Sequence, residues 1–254
     1  MKKQKTILIT GASSGIGKAL AVLYAVPGVT LLLTGRNTGR LREVEGLCLQ
    51  KGAEVEVAVL CVTNRPAFEE KLLDWDDRHP IDLLIANAGI SGGSGRGARQ
   101  GDGLFREIMD INLDGAFNTV SPLIPRMVAR KAGHIVLMSS MAGFRGMPNA
   151  PAYSVSKVAV RAYGDALRPL LKREGITVST IFPGFVKTPL TDVNDFPMPF
   201  LMEADKAADI IRRGIDAKKA SIAFPWQMHV LCWLLGVMPR CLGDWILSCA
   251  PKKG

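Results

Sequence analysis

Short apolar runs alternate along most of the chain with longer stretches of helical period. TILIT (Thr6–Thr10), Val29–Thr34, Glu54–Leu60, Ile81–Ala86, His134–Ser139 and Ile176–Ile181 each read as strands. Several are apolar on both faces, as strands covered by helices on each side should be. The segments between them are long enough for crossover helices. Strand–helix alternation of this kind predicts an α/β fold, a Rossmann-type, doubly wound parallel sheet. No repeat, low-complexity block or compositional break divides residues 1–254, which read as a single domain.

Two stretches depart from the pattern. Gly89–Gly103 (GISGGSGRGARQGDG) holds seven glycines and two arginines directly after a strand. It reads as a solvated surface connection, with a mobile lip beside a ligand crevice as the functional alternative. Ala220–Pro239 (ASIAFPWQMHVLCWLLGVMP) contains no Asp, Glu, Lys or Arg. A run of about 20 uncharged residues is long enough to cross a bilayer as a helix.

Composition narrows the class. Of the 254 residues, 48% are hydrophobic and 22% charged, which fits a globular chain with a sizeable core. The formal charge of +9 comes from scattered Lys and Arg without a run of five or six. It reads as solvated surface, with a share for an anionic cofactor or a membrane surface. No aromatic–basic stacking platform accompanies it, so nucleic-acid binding is excluded. The five cysteines are odd in number and form no C-x-x-C pair. That argues against a disulfide framework and a zinc site, and for a reducing, cytoplasmic setting. His79, His134 and His229 are dispersed, so no metal site is expected. MKKQKTILIT lacks the long apolar stretch of a signal peptide.

The first strand runs into TGASSGIGKAL. Gly11, Gly15 and Gly17, with Ser13, Ser14 and Ile16 between them, give a tight turn, a close approach of backbone to pyrophosphate and close helix–strand packing. The N–H groups and the positive end of the following helix then receive the phosphates. The second strand ends LLLTGRN, offering Arg36 where an NAD site would place a carboxylate. A guanidinium suits a 2′-phosphate, so NADP(H) is favoured over NAD(H), and Arg36 as a mere turn cap is the alternative.

AYSVSKVAV places Tyr153 and Lys157 at i and i+4 on one helical face. A free tyrosine, with a pKa near 10, is a poor acid or base at neutral pH. A nearby ammonium should lower that value and let the pair move a proton to or from an alkoxide. SSMAG lies upstream at a strand end, with NLDG and ANAG before it and PGFVKT after the tyrosine. With TGASSGIG, this ordered set resembles the short-chain dehydrogenase/reductase family, in its compact single-domain branch, up to about Thr188.

The resemblance implies an oxidoreductase that interconverts a ketone or aldehyde and an alcohol. Tyr153 would exchange the proton, Lys157 would tune it and hold the nicotinamide ribose, and Ser140 would hydrogen-bond the substrate oxygen. Ser139 would complete its strand, and Asn112 would help position Lys157 through water. Asn87, Ala88 and Gly89 would line the cofactor cleft, and Pro183, Gly184, Val186 and Thr188 would hold the nicotinamide end. Cys61-Val62 stands where the family often has Asp-Val, so Val62 is expected to keep a backbone or apolar role while a polar adenine contact is in doubt. Pro169 should bend or end the helix after Tyr153.

Residues 189–205 fall where the family carries a substrate lid, and Phe196, Met198, Phe200 and Leu201 would form an apolar roof. The substrate is therefore expected to be apolar, of the lipid, steroid-like or fatty acyl kind. A non-catalytic cofactor-binding regulator of the same fold is the alternative. The resemblance also implies a homo-oligomer, a dimer or tetramer. SIAFP occupies the place of the last sheet strand, with Pro225 ending it. Trp226–Met238 is then too short for a span and is expected to form an amphipathic or buried helix, with Trp226 and Trp233 as packing residues. The extension 225–254 is left between a subunit or core contact, a peripheral membrane-facing helix and a true span.

Overall fold

The computed structural model describes residues 6–92, 101–148, 150–192, 194 and 197–248. Seven strands form one sheet: β1 (Thr6–Ile9), β2 (Thr30–Gly35), β3 (Glu54–Val59), β4 (Leu83–Ala86), β5 (Gly133–Met138), β6 (Ile176–Pro183) and β7 (Ser221–Phe224). Their order is β3-β2-β1-β4-β5-β6-β7, and every neighbouring pair is parallel. Each predicted strand is present within two residues at either end.

The two-residue period of a strand sorts the apolar runs onto opposite faces. Ile7, Ile9, Leu31, Leu33, Leu83, Ile85, Val136 and Met138 join the core on one side. It is closed by α1 (Gly15–Tyr24), α2 (Thr38–Gln50) and α8 (Ala204–Asp216), through Leu20, Val44 and Ile211. Leu8, Leu32, Leu84, Ile135 and Leu137 face the other way. There they meet α3 (Arg65–Arg78), α5 (Gly115–Val120), α6 (Ile124–Ala129) and α7 (Pro151–Lys172), through Phe68, Trp75, Met127 and Val160. Central β1 and β4 are buried along their whole length, whereas edge strand β3 is partly exposed. The order reverses between β1 and β4, and a crevice opens at their carboxyl ends.

Before α5 the chain forms α4 (Asp102–Met109) and a π-helical turn, Asp110–Asp114, which buries Asn112. Such a turn interrupts a regular helix and is often found at functional sites. After β7 come α9 (Trp226–Val237) and α10 (Arg240–Ser248).

One expectation is narrowed and another needs correction. Of the bend or end expected at Pro169, the end is absent, since α7 runs on to Lys172. The proline removes one backbone bond near the helix end, while buried Leu167 and Leu171 hold the last turns on the sheet. Helix α9 is neither amphipathic nor buried: Cys232 and Leu235 are its buried residues. Trp226 and Trp233 are 70% and 50% exposed rather than packed. Residues 93–100 of the glycine-rich stretch, Phe196 of the expected roof and Cys249 lie outside the described residues. The described cysteines, Cys48, Cys61, Cys232 and Cys241, are free thiols.

Candidate active site

The turn after β1 is built by contacts that exclude a side chain. Gly11 has φ +66°, and a Cβ there would come within 2.8 Å of the Ala88 backbone. Gly15 has φ +54°, with the Thr188 methyl 2.9 Å from where its Cβ would stand. Both positions require a left-handed backbone, which glycine adopts without steric cost. Gly17 sits one turn into α1, where a Cβ would overlap Gly11 O and Asn87 Nδ2. The ends of β1 and β4 are laced together at this point. Thr10 Oγ1 accepts from Asn87 N and Ala88 N, both at 3.1 Å. Asn87 Nδ2 donates to Thr10 O at 2.9 Å and Gly11 O at 3.2 Å.

A cleft of 460 Å³ runs from this turn across the carboxyl edge of the sheet. Gly11, Ser13, Ser14, Gly15, Ile16, Arg36, Val62, Asn87, Ala88, Gly89, Ser140, Tyr153, Lys157, Pro183, Gly184, Val186 and Thr188 all line it. Gly17 and Asn112 stand behind the wall rather than in it. Val62 presents its side chain beneath Gly115, and its carbonyl accepts from Asn118 Nδ2 at 3.0 Å. Cys61 Sγ lies 3.1 Å from Thr63 Oγ1.

At one end Arg36 and Arg40 both border the cleft. Neither guanidinium makes a hydrogen bond or ion pair among the described residues. Asn37 caps α2, its Oδ1 accepting from Arg40 N at 2.9 Å, and so sets Arg40 in the first turn. Arg40 was not anticipated from sequence. The signal was present as RNTGR, but it takes the helix start to show that the two arginines share one rim. Leu60 and Ile111 are further lining residues that pattern reading missed, while Ile90 of the glycine-rich stretch and the turn Pro189–Thr191 at the start of the expected lid also line the cleft. Thr191 Oγ1 ties that turn by accepting from Thr188 N at 2.9 Å and donating to Val186 O at 2.8 Å.

At the other end α7 carries Tyr153 and Lys157 under the loop that begins at Ser140. Lys157 is 4% exposed; Nζ donates to Met138 O at 2.9 Å and lies 5.6 Å from the Tyr153 ring centre. Ser139 Oγ donates to Lys157 O at 2.8 Å, so this serine fastens the helix to the strand end. Ser140 Oγ accepts from Ala142 N at 3.2 Å and hydrogen-bonds the Tyr153 side chain. Asn112 Oδ1 accepts from Ile90 N at 2.8 Å, and its Nδ2 donates to Ile90 O at 2.9 Å and Ser156 Oγ at 3.0 Å. The π-turn thus anchors the chain after Gly89 to α7, beside Lys157.

Burial dominates the electrostatics. It lowers the Lys157 ammonium to about 8 and raises the Tyr153 phenol, an effect partly offset by the Ser140 hydrogen bond. The tyrosine therefore moves opposite to the expectation of a lowered value, because desolvation of the phenolate outweighs its stabilisation.

A parallel sheet with a glycine turn at its switch point, and a Ser–Tyr–Lys cluster at the far end of the same cleft, define a dinucleotide-dependent oxidoreductase of the α/β class. The short chain dehydrogenase family model matches residues 5–196, and the chain belongs to that family. A protein of Myxococcus xanthus, named an uncharacterized oxidoreductase, is 41% identical over 94% of this chain and 95% of its own length. Another, of Mycobacterium tuberculosis, is 31% identical over 91% of this chain and 94% of its own. Among solved structures, a short-chain dehydrogenase from Sphingobium yanoikuyae in complex with NADPH superposes with TM-score 0.81 at 25% identity. It covers 98% of both chains. A short-chain dehydrogenase from Mycobacterium paratuberculosis bound to NAD gives TM-score 0.76 at 25% identity, over 86% of this chain and 94% of that one. The protein is an oxidoreductase acting on CH–OH or C=O groups with a nicotinamide dinucleotide.

Proposed function

We propose that the chain is an NADP(H)-dependent carbonyl reductase acting on an apolar ketone or aldehyde. The observation that carries this reading is the pairing, in one cleft, of the buried Ser140–Tyr153–Lys157 cluster with, at the far end, two guanidiniums that make no hydrogen bond or close ion pair among the described residues. Arg36 and Arg40 would take the 2′-phosphate, a group that planar guanidiniums bind through paired hydrogen bonds. Gly11, Ser13, Gly15 and the N-terminus of α1 would hold the pyrophosphate. Val62 and Asn87–Gly89 would wall the middle, and Pro183, Gly184, Val186 and Thr188 the nicotinamide end. The dinucleotide supplies the two electrons and one proton that the substrate carbon takes up.

The residues of the chain act on the substrate oxygen. Ser140 and Tyr153 hydroxyls donate to it and stabilise negative charge as it develops. Tyr153 then passes its proton to that oxygen, and the Lys157 ammonium stabilises the phenolate left behind. Burial raises the Tyr153 phenol further above neutral pH, so the group facing the substrate oxygen carries the proton that a donor role needs. Asn112 acts as a positioning residue through Ile90 and Ser156. Residues 189–205 would cover the substrate, with Phe200 and Leu201, 54% and 46% exposed, as apolar contacts. We take the chain as one catalytic domain that forms a homo-oligomer, a reading supported by exposed Phe117, Val155 and Val158 on α5 and α7.

The test is a carbonyl panel of graded chain length run with NADPH and with NADH. A preference for NADPH is expected, falling by about 10- to 100-fold in the Arg36→Ala/Arg40→Ala double variant. Equal use of both cofactors by the wild type overturns the assignment of the two arginines.

A further inference from the structure

Helices α9 and α10 carry eight of the protein's exposed large hydrophobic side chains: Trp226, Val230, Leu231, Trp233, Leu234, Val237, Leu242 and Trp245. Three of the four tryptophans stand here, 50–70% exposed, while the fourth, Trp75, is buried at 1%. A patch of this extent on a folded protein marks an interaction surface.

The charges around it select the partner. Helix α9 has no Asp, Glu, Lys or Arg, and its titratable groups are His229 and the buried Cys232. The one acid after it, Asp244, is matched by Arg145 Nη2 at 2.7 Å. Arg240 has no ion pair among the described residues, and Lys252 and Lys253 follow in the sequence. The described part of the patch is therefore apolar and aromatic, with the Arg240 cation at its edge and further cations later in the sequence, on a chain of net charge +9. A symmetric contact between two copies would set those cations against themselves. Anionic headgroups instead complement them, and tryptophan favours the boundary between headgroups and acyl chains. The patch cannot work by spanning: among the described residues no helix is long and apolar enough to cross a membrane.

We propose that α9 and α10 form a docking surface for an anionic lipid bilayer, lying in the interface plane. The inner side of this pair packs against Gly184, which lines the cleft, and against the loop after Ser140. Met228 Sδ stands 2.8 Å from where a Gly184 Cβ would be. Phe144, four residues after Ser140, packs on Phe182 and His229 with ring centres 5.0 and 5.4 Å apart. Arg145 donates to Leu235 O at 2.8 Å. Docking would thus set the Ser140 loop beside the bilayer, and an apolar carbonyl dissolved there would enter without crossing water. This last step rests on the reading of the cleft given above, whereas the docking itself does not.

The test is co-sedimentation of the full chain with mixed phosphatidylcholine–phosphatidylglycerol vesicles and with pure phosphatidylcholine vesicles. Binding to the mixed vesicles is expected, weakened by salt and accompanied by a blue shift of tryptophan emission, with little binding to the pure ones. Leu231→Glu/Leu234→Glu, both at exposed positions, should cut the bound fraction about 10-fold or more with unchanged far-ultraviolet circular dichroism. Arg240→Glu should weaken binding to mixed vesicles without altering apolar surface. A chain that stays in the supernatant with mixed vesicles overturns the proposal. So does a double variant that sediments like the wild type, or a concentration-dependent oligomer that the double variant dissolves while vesicles bind neither form. A chain that binds vesicles but reduces no carbonyl overturns the substrate reading and leaves the docking surface standing.

Discussion

Lys157, at the carboxyl end of the sheet, and His134, at the amino end of β5, are both buried bases whose pKa values fall through desolvation. Lys157 falls to about 8 and His134 to about 4, with Lys218 adding to the effect on the histidine. The amino end even holds the larger hollow, 540 Å³ against 460 Å³. Their partners differ. Lys157 shares its cleft with Tyr153, Ser140 and a turn of glycines that leaves backbone N–H groups facing outward. The His134 ring meets Ser179 Oγ at 2.8 Å, and Ser179 Oγ in turn donates to Lys219 O at 2.6 Å. One group is left facing the cleft, the other is absorbed into the fold. A perturbed pKa or a hollow marks a site when convergent donors accompany it.

Tyr153→Phe is the largest expected break in this contrast. Removing one hydroxyl at the carboxyl end should lower kcat for carbonyl reduction by about 10²- to 10⁴-fold, with dinucleotide affinity and thermal stability near wild type. Full activity in that variant would move proton transfer to another group. Next in size is Asp76→Ala at the opposite end. Asp76, 3% exposed, accepts from Arg130 Nη1 and Nη2 at 2.8 and 2.9 Å and from Ile81 N at 2.9 Å. Removing it leaves the Arg130 guanidinium with its Ile81 O bond alone and orphans the buried Ile81 N–H where α3 turns into β4. Urea titration should show a loss of about 4 kcal/mol without a change in KM for either substrate. A drop in kcat at unchanged stability would erase the distinction between the ends.

What pattern reading recovered and what it missed follow the range of the interactions. The strands, the glycine turn and the Tyr153–Lys157 pair are set by residues within about one turn of each other, so spacing reveals them. Ile90 is held at the cleft by Asn112, 22 residues further on, a contact that no local spacing reveals. Arg40 is placed by a nearby helix cap, which shows which residues share a rim only once the helix start is fixed. Tyr153 shows the same limit: its neighbour Lys157 is visible in the sequence, whereas the burial that decides its pKa is not. In α9 the apolar run was legible, but its exposure was not, because a helix apolar on all sides gives no period to say which face packs.

The smallest effect expected is that of His134→Gln, and it appears in acid. The folded value of about 4 lies below the 6.5 of the free side chain. Between those values the unfolded chain binds a proton that the folded chain does not, so stability falls as pH drops from about 6.5 toward 4. Above the window both states are neutral, and below it both are protonated, so the slope vanishes on either side. Across the window the histidine should cost about 3 kcal/mol. Glutamine can still hydrogen-bond Ser179 but takes up no proton. The variant should match the wild type within about 1 kcal/mol at neutral pH and lose less stability than it on acidification. Its kcat should be unchanged, as the assignment of His134 to the fold alone requires. An acid slope identical in both proteins would mean that His134 is charged in the folded state and that the two ends of the sheet differ less than their geometry indicates.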